Sequence, residues 1–209
     1  MLKLLFVAFA IFIILVIAEF LRRVLKYKSE NTRKFVHIST GTFAAFWPFF
    51  LSFGQIEIMA LAFLIVIVSS KYLDVFKSIH AVERQTYGEI LFAIAIGAVA
   101  IITNDKLIFM AAILHMSLAD GLAGIIGVRF GARHNFRVFG QTKSLIGSAS
   151  FWLISLIIIG LYFVLSQASG AALGIIFLPL IATGLEAIGV LGFDNFLVPV
   201  IVALGLIFA

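Results

Sequence analysis

The chain has 209 residues, 63% of them hydrophobic and only 12% charged, with a mean hydropathy of +1.21 and no cysteine. That composition excludes an ordinary soluble domain, and the absence of thiols excludes a disulfide framework or thiolate metal centre while leaving the compartment open. The net charge of +5 is spread over short loops between apolar runs rather than gathered on one solvated patch, which argues against nucleic acid as a partner.

The apolar runs are far longer than the roughly 10-residue alternating strands of a membrane barrel. The expected fold is therefore all-α: a polytopic membrane helical bundle of seven or eight spans, forming a single integral membrane domain over 1–209. The first run, 4–21, follows Lys3 and is followed at once by Arg22 and Arg23, which suits a retained anchor better than a cleaved leader. With the basic loop behind it, this first span occupies 1–30.

The second run, 35–53, is entered through Arg33 and Lys34, with His37, Thr40 and Gly41 continuing the same polar face. Such a face suits an anion, although headgroup anchoring also accounts for the two cations. Pro48 is expected to kink or end this span. The third run covers 56–70, and the fourth, 89–103, opens on Glu89, an acid that either favours a helix N-terminus or serves as a ligand.

The fifth run, 107–130, contains Asp120. On a regular helix Ser117, Asp120, Gly124, Gly127 and Gly131 share an arc of about 80°. Small residues in a stripe permit close approach by another helix or by a ligand, and both readings stand for the glycines. An ionisable group within a span is costly and usually faces a functional cavity. His115 lies off the stripe and reads as a helix–helix hydrogen bonder.

A basic loop with Arg129, Arg133, Arg137 and Lys143 leads to Ser144, Gly147 and the sixth run, 145–166. The seventh run, 171–189, ends near Glu186, and the eighth, 196–209, is preceded by Asp194 and Asn195, either of which could cap it. With eight spans, 13 of the 15 Lys and Arg residues fall in alternate loops. The positive-inside rule then puts both termini outside and those loops in the cytoplasm, as for a multi-pass protein of a prokaryotic cytoplasmic membrane. No internal repeat or low-complexity tract divides the chain. Asp120, Glu89, Glu186 and Asp194 thus gather on the side that holds Arg33, Lys34 and Lys143, as in a magnesium and polyphosphate site.

The segments "TRKFVH", "YGEI", "LADGLAGIIGVRFG", "TKSLIGS" and "LEAIGVLGFDNFLVP" occur in the order seen in the dolichol kinase and phytol kinase family, which also contains the CTP-dependent diacylglycerol kinases. The chain resembles that family over about residues 31–201. The resemblance implies phosphorylation of a membrane lipid alcohol, whether phytol, a polyprenol, dolichol or diacylglycerol, by CTP or, failing that, ATP. It implies roles for Arg33, Lys34, Asp120, Gly127 and Lys143, joined by Glu186 and Asp194. The phosphatidate cytidylyltransferases share Asp120, Ala123, Gly127, Phe130 and Gly131 followed by Lys143, Ser144 and Gly147, but their Gly-rich C-terminal element is replaced here by "EAIGVLGFDN". That favours the kinase branch over cytidylyl transfer.

The expected site therefore has Arg33, Lys34 and Lys143 on the triphosphate and Asp120, Glu186, Asp194 and Glu89 as candidate Mg²⁺ ligands. Gly124, Gly127, Gly131, Ser144, Gly147, His37 and Asn195 are the expected nucleotide surroundings. A soluble-type P-loop is not expected, because no glycine immediately precedes Lys143 and no strand is expected to lead into it. A small transporter is the more distant alternative, weakened by the crowding of polar groups on one side.

Overall fold

The computed structural model describes residues 1–26, 29–73, 86–131, 133–168 and 171–209. Each of the eight predicted runs falls on a helix: α1 (Leu2–Arg23), α2 (Ser29–Ala45), α3 (Phe53–Leu73), α4 (Gly88–Ile102), α5 with α6 (Lys106–Leu114 and Asp120–Phe130), α7 (Leu145–Ser166), α8 (Ala171–Ile188) and α9 (Asp194–Ile207). Among the described residues, four helical stretches are long and apolar enough to cross a membrane, namely Leu2–Arg23, Phe53–Ser70, Lys106–Phe130 and Leu145–Ser166. The helices Gly88–Ile102, Gly174–Ile188 and Asp194–Ile207 are apolar but shorter. This is a membrane protein, and its exposed Leu, Ile and Phe side chains on α1, α3 and α7 are what a helix facing lipid carries.

Local chemistry sets the boundaries. α2 stops at Ala45, and Pro48 sits in a 3₁₀ turn (Trp47–Phe49), where its fixed φ is tolerated and its missing N–H costs nothing. Asp105 caps α5 by accepting from the Leu107 and Ile108 amides. At the end of α1, Glu19 pairs with Arg22 and Arg23 across one turn.

α5 and α6 form one continuous 25-residue helix, joined through a π-helical turn at His115–Ala119. It is the most deeply buried of the four long helices, and α2, α7 and α9 pack around it. Trp47, Phe109, Ile113, Met116, Phe151 and Ile159 are fully buried in the resulting core. His115 is also fully buried, and its Nδ1 lies 2.7 Å from the Ala111 carbonyl one turn back, so it bonds within its own helix rather than across to another.

Two sequence expectations change here. The π turn inserts an extra residue into the helical register, so Ser117 leaves the predicted stripe. Instead its hydroxyl donates to the Ile113 carbonyl at 3.0 Å, and its Cβ stands where a side chain at Gly41 would have to go. The second change is a β-hairpin between α6 and α7: β1 (Asn135–Val138) pairs antiparallel with β2 (Gln141–Ser144), so a strand does lead into Lys143. The all-α expectation omits this hairpin. The glycines of a P-loop are absent all the same, Gly140 being the nearest one before Lys143.

Candidate active site

A cavity of about 450 Å³ lies among the N-terminal half of α2, α6, the C-terminal end of α8 and the N-terminus of α9, with the hairpin and the first turn of α7 as one wall. Of the predicted site residues, Arg33, Lys34, His37, Asp120, Gly124, Gly127, Lys143, Ser144, Gly147, Glu186, Asp194 and Asn195 all line it. Two do not. Gly131 is buried against Ser144, and Glu89 lines a smaller, more apolar cavity next door that shares Arg33, His37 and Asn195 with the main one.

The acidic end of the cavity is a cluster. Carboxylate oxygens of Asp120, Glu186 and Asp194 lie within 4.8 Å of one another. Lys143 reaches into the cluster from β2, its Nζ donating to Glu186 Oε1 at 2.5 Å and to the Glu186 carbonyl at 2.7 Å, with Asp194 Oδ2 at 3.4 Å. Burial alone would lower the Lys143 pKa, but the Glu186 and Asp194 carboxylates outweigh it and hold the ammonium above its ordinary value. Lys143 is therefore a fixed cation. Glu186 is only 6% exposed, and its other oxygen, Oε2, is buried with no hydrogen-bond partner among the described residues.

An all-oxygen donor set of three carboxylates, one with an unsatisfied buried oxygen, fits a hard divalent cation such as Mg²⁺. Glu89 is outside this set. It lies in the first turn of α4, where a negative charge favours the helix N-terminus. Opposite the carboxylates, His37 donates from Nε2 to the Met116 carbonyl at 2.8 Å and lies 3.5 Å from Asp120 Oδ2. That carbonyl belongs to the π turn, so the irregular stretch of the central helix also positions the residue beside Asp120.

Glycines bring the walls together. A Cβ on Gly124 would stand 2.8 Å from Lys34 Nζ, and one on Gly127 would stand 2.7 Å from Ser144 Oγ. The two readings of the stripe thus merge, because the same glycines line the cavity and admit α2, β2 and α7 to close range. Ser144 ends β2 as the N-cap of α7, its Oγ accepting from the Gly147 amide at 3.0 Å. Neither Asp194 nor Asn195 caps α9. The Asn195 side-chain Nδ2 instead donates to the Gly88 carbonyl at 3.0 Å and ties α9 to α4.

Sequence reasoning passes over several lining residues, among them Thr86, Asn135, Gln141, Thr142, Ser148 and Gly192. Asn135, Gln141 and Thr142 belong to the unexpected hairpin. Gly192 has φ of +89°, and a Cβ there would meet the Gly88 Cα at 2.5 Å, so the approach of the last loop to α4 requires glycine.

No protein-family model and no solved structure matches the sequence. Among curated proteins, the chain is 33% identical over 193 residues to the phytol kinase of Synechocystis sp., an alignment that takes in 87% of this chain and 80% of that one. Similarity over most of both chains is more than a shared apolar composition can give. The chain belongs to the phytol kinase and dolichol kinase family, and it is a lipid-alcohol kinase.

Proposed function

We propose that the protein transfers the γ-phosphoryl group of a nucleoside triphosphate, CTP before ATP, to the hydroxyl of a membrane isoprenoid alcohol of the phytol or polyprenol class. The observation that carries this reading is the meeting of three carboxylates and Lys143 in one cavity also lined by Arg33 and Lys34. Phosphoryl transfer needs positioning and charge neutralisation more than covalent help, and this cavity offers both signs of charge within one volume.

Arg33, Lys34 and Lys143 are the residues to hold the phosphates, and Asp120, Glu186 and Asp194 those to hold Mg²⁺. When bound, Mg²⁺ would neutralise charge on the phosphate chain. A carboxylate of the cluster accepts the alcohol proton while the new phosphorus–oxygen bond forms; the bond from the γ-phosphorus to the β-phosphate oxygen breaks, and the nucleoside diphosphate leaves. His37 stands beside Asp120 on the α2 side. The backbone at Gly124 and Gly127, with Ser144, Gly147 and Asn195, shapes the remaining surface.

The same reading takes the eight apolar runs as membrane segments with the cavity at the cytoplasmic face. α4 has 15 residues, about 22 Å at 1.5 Å per residue, against a hydrocarbon core of about 30 Å. Its crossing relies on adjoining residues or on local thinning of the bilayer. A lipid hydroxyl confined to headgroup level then meets a water-borne nucleotide at the cavity.

Purified protein assayed with each of CTP, ATP, GTP and UTP against phytol, a polyprenol, diacylglycerol and phosphatidate tests the proposal. The expected result is a lipid phosphate from an isoprenoid alcohol with CTP as best donor. Turnover with phosphatidate alone would overturn it in favour of cytidylyl transfer.

A further inference from the structure

The chemistry above uses the base of the β1–β2 hairpin and leaves its tip unexplained. The turn residues Phe139 and Gly140 both have positive φ, +45° and +81°. The first position of such a turn favours Asn, Asp or Gly, and a bulky aromatic residue there carries a steric cost. Nothing inside the protein offsets it, because Phe139 is 81% exposed.

The charge around the tip has one sign. No Asp or Glu occurs between Asp120 and Glu186. Arg129, Arg133 and Arg137 are exposed, and among the described residues none of them makes an ion pair. The hairpin also springs from the ends of two long apolar helices, where Phe130 and Leu145 are exposed as well. Membrane orientation accounts for the arginines by themselves. It does not account for an aromatic ring set among them at a position where aromatic residues are disfavoured.

We infer that the hairpin tip is a membrane contact: Phe139 enters the headgroup region of a leaflet rich in anionic phospholipid, and Arg129, Arg133 and Arg137 engage the lipid phosphates. An apolar ring beside cations is the combination that binds such an interface. The hairpin also carries Lys143 and Ser144 on the cavity wall, so engagement of the tip steadies that wall. Only this consequence rests on the kinase reading; the contact itself does not.

The chain has no cysteine, so Phe139→Cys provides a single labelling site. With an environment-sensitive fluorophore attached and the protein in nanodiscs containing phosphatidylglycerol, the label should be quenched by headgroup-level nitroxide lipids and shielded from iodide. Arg133→Gln or Arg137→Gln in that background should each weaken engagement about fivefold. A label open to iodide and indifferent to nitroxide lipids, with or without phosphatidylglycerol, would overturn the contact. Phosphatidylglycerol should stimulate the wild type several-fold, and Phe139→Asn, which suits the turn, should keep the wild-type rate in zwitterionic discs while losing that stimulation. Full stimulation of Phe139→Asn would overturn the link from tip to cavity wall. A shielded label on a protein that transfers no phosphoryl group would sink the kinase reading and leave the contact standing; an active enzyme with an open label would do the reverse.

Discussion

Lys143 and the three carboxylates around it behave as one charge system, and substitutions there separate chemistry from folding. Lys143→Met leaves Glu186 and Asp194 without the cation that faces them. Breaking a buried pair from one side costs about 3–5 kcal/mol, because the remaining charge stays out of water. The variant should melt well below the wild type in detergent, and millimolar Mg²⁺ should raise its melting temperature by more than it raises that of the wild type. A melting temperature for Lys143→Met that ignores Mg²⁺ would count against the carboxylates as a metal site. The sign of the pH effect follows from the raised Lys143 pKa: its stabilisation is complete below about pH 10.4 and fades only as pH rises through the higher folded value. Lys143 itself therefore adds no pH dependence to the wild-type melting temperature from about pH 7 to 9. Asp120→Asn keeps size and hydrogen bonding but removes one charge from the cluster. It should lower turnover by about 10²-fold or more with little change in melting temperature, and near-normal turnover would reduce Asp120 to a packing residue.

At the scale of elements, the central helix and its neighbours decide where the site residues point. The regular-helix wheel places Asp120, Gly124 and Gly127 on a common face, and they do share the cavity, because the helix is regular from Asp120 onward. Ser117 escapes that wheel because it lies within the π turn, and no local residue pattern announces such a turn. The hairpin is a different kind of miss. Asn135-Phe136-Arg137-Val138 alternates polar and apolar residues and Gly140 follows, but the strands are only four residues long and Phe stands where Asn or Asp would signal the turn. The close packing of α2 on the π turn can be tested directly. A side chain at Gly41 would run into Ser117 and Phe92, so Gly41→Leu should cost about 1–3 kcal/mol, read as a lower melting temperature. Wild-type stability would mean that α2 does not approach the central helix this closely.

For the whole molecule, the order of apolar runs and polar punctuation was enough to locate the long helices among the described residues and most residues that line the cavity, since burying polar groups in lipid leaves few alternatives. Proximity in space was not legible. Lys143 and Glu186 are 43 residues apart, and nothing in either segment states that they pair. Nor does Asn195 announce its bond to Gly88 across 107 residues. The charge distribution predicts that the segments near Gly54 and Asp105 face outward and the segment near Asn135 faces inward. Of the other loops read from charge, those at Lys28, Arg84 and Ser169 lie outside the described residues. Single cysteines at Gly54, Asp105 and Asn135 should label from opposite sides, two against one; common labelling of Gly54→Cys and Asn135→Cys from one side would exclude eight spans. The central claim is tested most directly by the fate of the nucleotide's phosphorus atoms. A kinase joins the γ-phosphorus to a lipid hydroxyl and releases a nucleoside diphosphate, whereas a cytidylyltransferase joins the α-phosphorus to a lipid phosphate and releases pyrophosphate. Purified protein given CTP labelled at one phosphorus or the other, with phytol in the bilayer, should place the γ label in the lipid product and leave the α label in the diphosphate; α label in the lipid with pyrophosphate as coproduct would contradict the account.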